Sequence, residues 1–87
     1  MITTNDLKKE VREWANKIEL TPKQIHIRTM KNKWASCSSK GRVTLSDALL
    51  SENYNRRAEV IVHELLHLRY PKHNKMFNTL LVSHLNK

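Results

Sequence analysis

The 87-residue sequence predicts a small α+β domain, and three observations predict it. Leu7, Val11, Trp14 and Ile18 recur at helical spacing near the start. Between residues 24 and 46, short runs alternate apolar and polar side chains, as half-buried strands do. From Ala58 onward, apolar residues return at helical spacing and continue to Leu85. The expected order is an N-terminal helix, a small three-stranded antiparallel sheet, a central helix and a C-terminal helix, in one domain spanning residues 1–87.

The first helix should run from about Thr4 to Glu19, with Thr3 and Asp6 three residues on forming a capping start and Thr21-Pro22 a break. Ile25 and Ile27 alternate with His26 and Arg28, which gives a strand over 24–30. Lys31-Asn32 is a turn, Trp34 to Ser38 a second strand, Ser39-Lys40-Gly41 a turn and Arg42 to Ser46 a third strand. Ser46 or Asp47 can cap a short helical turn that buries Leu49 and Leu50. The central helix is expected from about Asn55 to Arg69, and its apolar girth makes it the most buried. Pro71 disfavours helical geometry at Tyr70, so the chain should turn there before the last helix.

The central helix carries the chemistry. His63 and His67 are four apart and share one helical face, while Glu64 stands beside the first. A hydrolytic Zn²⁺ takes three protein ligands and leaves one position for water. The third ligand must come from beyond one straight helix, and His73, just after the break, is well placed. The residue types therefore point to Zn²⁺ held by His63, His67 and His73, with Glu64 as general base. Structural alternatives are two buried histidines and a Glu64 that pairs with Arg69. His26 falls on the polar side of a strand, and His84 lies roughly 16 Å from His73 along a helix, so both are left out of the site. Cys37 reads as a small, partly buried strand residue in preference to a zinc ligand, Trp34 as core in preference to the floor of a cleft, and Tyr70 either as an oxyanion donor or as a helix-end aromatic.

These residues resemble a known family. The separation of His63 and His73 matches the metzincins, but Tyr70 holds their glycine position and no Met-turn follows. Val60 to Leu68, then Pro71-Lys72-His73-Asn74-Lys75-Met76-Phe77, is similar to the YgjP-like small zincin metallopeptidases: an apolar run, H-E-L-x-H-L, a proline break and H-x-x-x-F. Upstream, Lys33-Trp34-Ala35-Ser36-Cys37 followed by Gly41 and a strand resembles that family's W-G-S-C stretch. The likeness runs from about Arg28 to Phe77, with Ala35 in place of the glycine and Asn78 in place of a tryptophan. It implies a minimal zincin fold and a zinc metallopeptidase whose peptide or protein substrate lies extended along the sheet edge.

Composition sets the remaining expectations. One cysteine excludes an internal disulfide and suits a reducing cytoplasm. The start shows no basic or apolar leader, and no uncharged run approaches membrane-spanning length. A cytoplasmic monomer with no membrane partner is expected. The net charge is +8, with six cations and no acid from Lys23 to Arg42. Weak, non-specific nucleic-acid binding is the most this charge implies on its own. Two other readings stay open: a basic nucleic-acid- or protein-binding module with a structural metal, and a protease acting on DNA-bound proteins, as the distantly similar SprT-like zincins are.

Overall fold

A computed structural model describes residues 1–86. The chain runs through α1 (Thr4–Ile18), β1 (Gln24–Arg28), β2 (Ala35–Cys37), β3 (Arg42–Ser46), a short 3-10 helix (Asp47–Ser51), α2 (Tyr54–His67) and α3 (Lys75–Leu85). Among these residues no helix is long and apolar enough to cross a membrane.

α1 opens as its sequence dictates. The Asp6 amide donates to Thr3 Oγ1 at 3.1 Å, and the Thr3 amide donates back to Asp6 Oδ2 at 3.2 Å. Leu7, Val11, Trp14 and Ala15 form its buried stripe. The helix stops before Thr21-Pro22, because Glu19 turns left-handed (φ 59°) and its amide closes on the Ala15 carbonyl.

The sheet is mixed, and this corrects the all-antiparallel expectation. Strand directions alternate along the chain as anticipated, but the spatial order is β1-β3-β2. β3 therefore lies between the other two, antiparallel to β2 and parallel to β1. The central place goes to the strand with most to bury: Val43 and Leu45 are fully buried, whereas β2 is three residues long and half-buried throughout. A hairpin links β2 to β3 through Ser38–Gly41; Ser38 N–H donates to the Arg42 carbonyl at 2.8 Å. Gly41 takes φ 88° there, a conformation a side chain would strain. Trp34 falls outside β2 and is 41% exposed, so it is not core as expected.

Ser46 caps the 3-10 helix by accepting from the Ala48 amide, and Leu49 beneath it is fully buried. Asn53 caps α2 through the Arg56 amide at 2.9 Å. Ala58, Val60, Ile61, Val62, Leu65 and Leu66 of α2 then fill the core against α1, the sheet and Phe77 of α3. α2 ends at His67, short of the expected Arg69, because the amides of Leu68 and Arg69 bond three residues back and tighten the last turn.

A bidentate ion pair ties α2 to α1: Arg57 Nε and Nη2 donate to the two Glu10 oxygens at 2.8 and 3.0 Å. Arg57 also donates to the Glu52 carbonyl. The hydrogen bonds to Glu10 raise the already high guanidinium pKa, so Arg57 keeps its charge. Both side chains are under a fifth exposed, and removing one partner strands the other. Arg57→Ala is therefore expected to cost about 2–3 kcal/mol, somewhat below the range for a fully buried pair. Urea unfolding measures it; a loss under about 0.5 kcal/mol would make the pair a surface ornament.

Candidate active site

The apolar side chains of α2 face the core and leave His63, Glu64 and His67 along one strip near its C-terminal end. His63 and His67 are half-buried, and Glu64 is buried at 8% exposure. After Pro71 the chain returns. Asn74 caps α3 by accepting from the Phe77 amide at 3.0 Å, which sets His73 immediately ahead of that helix. The return brings His73 back over α2: its ring centroid is 5.0 Å from that of His63 and 6.1 Å from that of His67. The His63 and His67 centroids are 4.8 Å apart.

Phe77 underlies all three. Its ring, fully buried, lies 5.2, 4.6 and 4.7 Å from the rings of His63, His67 and His73. Sequence reasoning quoted Phe77 as part of a pattern and missed this role. The signal was the H-x-x-x-F spacing, which puts the two rings about one helical turn apart.

Hydrogen bonds orient two of the imidazoles. His67 Nδ1 is 3.2 Å from the Tyr70 carbonyl, which only accepts, so Nδ1 is the donor. His63 Nδ1 is 3.0 Å from Glu64 Oε2 and donates to the carboxylate in the same way. Glu64 thus bonds its neighbour and not Arg69. The Tyr70 group engaged here is its backbone carbonyl, which no side-chain pattern reports.

Do these residues fit a metal? Rings bound through nitrogen at 2.0–2.1 Å around a tetrahedral ion have centroids about 5 Å apart, and the observed 4.8, 5.0 and 6.1 Å lie close to that. Imidazole nitrogens are also the right donor chemistry for zinc. As placed, however, no three His, Cys, Asp or Glu side chains among the described residues already converge to hold an ion. The ring spacing is what fits.

Beside the rings opens a cleft of about 410 Å³, lined by Glu64 and His67 on one side and by Lys33, Ala35, Cys37 and Ser38 on the other. Its far wall is β2, whose outer edge has no strand partner. Cys37 is half-buried; burial, then the Glu64 charge, push its thiol above the ordinary value and keep it neutral. Ala35 of β2 pairs with Leu45 of β3 and lines this cleft, whereas Asn78 is exposed on α3. His26 is exposed on β1, and His84 lies on the last turn of α3.

A family profile described as YgjP-like, metallopeptidase domain, matches residues 2–87. The chain belongs to this family. Among solved structures, the metallopeptidase zymogen of Pyrococcus abyssi abylysin is similar: it is 23% identical, with a TM-score of 0.75 over 86% of this chain and 75% of that one. At that identity the likeness bears on the fold, which this YgjP-like domain shares. No protein of curated function matches the chain.

Proposed function

We propose that this YgjP-like domain is a zinc-dependent peptidase, with His63, His67 and His73 as the metal ligands and Glu64 as the general base. The observation that carries the reading is the gathering of three imidazoles, at near-tetrahedral ring spacing, beside a buried carboxylate and an open strand edge. When bound, the ion supplies a Lewis acid that polarises the scissile carbonyl and acidifies water. The chain's own residues do the rest. Tyr70 and Glu64 hold the tautomers of His67 and His63. Glu64 takes the proton of the attacking water and returns it to the leaving amine. β2 offers its outer edge to an extended peptide or protein segment, which would pair with it through backbone hydrogen bonds. The proposal includes a monomer in the cytoplasm, in keeping with a sequence that has one cysteine.

Metal analysis tests it. Wild type should carry one zinc per chain, and His73→Ala should lose tight binding while keeping the fold. Chelation should lower the melting temperature of wild type, because binding to the native state adds to stability. Unchanged stoichiometry in His73→Ala removes that residue from the site; a wild type that binds no zinc removes the site itself.

A further inference from the structure

We propose that the solvent face of the sheet binds a single strand of nucleic acid through its phosphates. The inference does not depend on the peptidase reading. Alternation in β1 and β3 sends Ile25, Ile27, Val43 and Leu45 to the core and leaves Gln24, His26, Arg28, Arg42 and Thr44 on the other face. That face meets two grooves. One, about 460 Å³, is lined by Lys23, Gln24, Ser38, Lys40 and Arg42. The other, about 350 Å³, includes Arg28, Lys31, Lys33, Ser36 and Thr44.

Each groove therefore holds three cations and at least one hydroxyl. None of these six cations is in an ion pair among the described residues. Arg42 Nε donates to Gln24 Oε1 at 2.9 Å, which keeps its guanidinium over the strand ends. The acid that follows the sheet, Asp47, is engaged by the Thr29 hydroxyl at 2.8 Å.

Two separated triads call for a repeating anion and not a single small one. Arg42 is in register with Gln24, and Arg28 is four residues further along β1, about 13 Å at the usual strand rise. A nucleic-acid strand covers that distance in about four phosphates at its helical spacing, and in fewer when stretched. Guanidinium forks and hydroxyls are the donors that phosphates take. The exposed Trp34 indole beside Lys31 and Lys33 offers a base a stacking surface at one end of the track. An acidic protein would use the charges but has no need of the indole. Lys33 and Ser36 line both this groove and the cleft beside Glu64, so a bound strand would run next to the peptidase site.

Fluorescence anisotropy tests the proposal with labelled dT12, dT3, a 12-base-pair duplex and a 12-residue polyglutamate, over a range of salt concentrations. Circular dichroism confirms that each variant is folded. About four phosphate contacts on a single strand give a log–log salt slope of about −3, and losing two reduces it to about −1.4. Removing either triad, Lys23→Ala/Lys40→Ala/Arg42→Ala or Arg28→Ala/Lys31→Ala/Lys33→Ala, should weaken dT12 at least about tenfold at low salt. Lys9→Ala/Arg12→Ala/Lys75→Ala, the same charge removed from α1 and α3, should change it less than about threefold. dT3 should bind far more weakly than dT12. Equal weakening by the control triple, no dT12 binding at low salt, or duplex or polyglutamate binding as tight as dT12 would each overturn the assignment.

Discussion

Glu64→Gln is expected to keep the fold and the zinc and to lose peptide hydrolysis by about 10²–10⁴-fold, the usual contribution of a positioned acid–base group. The side chain is buried at 8% exposure, and glutamine fills the same volume. Its amide oxygen can still accept from His63 Nδ1, now 3.0 Å from Glu64 Oε2, so the tautomer of that ring is preserved. What disappears is the ability to take a proton. Activity, zinc content and melting temperature must be read together on the same preparation. Full activity in the variant would move the base elsewhere. Lost zinc in a folded variant would make Glu64 part of the metal's support and not a base.

Phe77→Ala should produce the largest loss of stability, about 3–5 kcal/mol, in a domain whose total falls within the usual 5–15 kcal/mol. The ring is fully buried and touches three imidazoles from α2 and the return to α3. The rings resting on it would lose their common floor, so zinc affinity should fall along with stability. Phe77→Leu, closer in volume, should cost less than the alanine change. Denaturant unfolding with a parallel zinc titration checks both. A cost below about 1 kcal/mol for alanine would show that the floor is not a support.

Local patterns were legible in the sequence; spatial order was not. The Thr3–Asp6 cap, the buried stripe of α1 and the polar strip on α2 follow from spacing alone, since each depends on neighbours within one helix. The break at Pro71 likewise foretold a return that carries His73 toward His63 and His67. Strand alternation told which residues face the core but not which strand sits in the middle. The central place went to β3, whose Val43 and Leu45 are fully buried. Trp34 misled for a related reason: its size suggested core, but β2 begins one residue later and leaves it at the rim. The Tyr70 carbonyl could not be read at all, because every residue has one and only the tightened end of α2 aims this one at His67.

The shortness of the connection between α2 and α3 has a thermodynamic corollary. An ion shared by His67 and His73 would be a cross-link between near neighbours in the chain, closing a loop of about six residues. Such a clip removes about 2 kcal/mol of freedom from the unfolded chain, roughly half of what a 100-residue loop would, and small beside the ~10–16 kcal/mol of zinc ligation. Its stabilising effect would come mainly from ligation itself, concentrated where the two helices meet. α1 and the sheet, joined to α2 by the Arg57–Glu10 pair and the shared core, would feel the ion only through that corner.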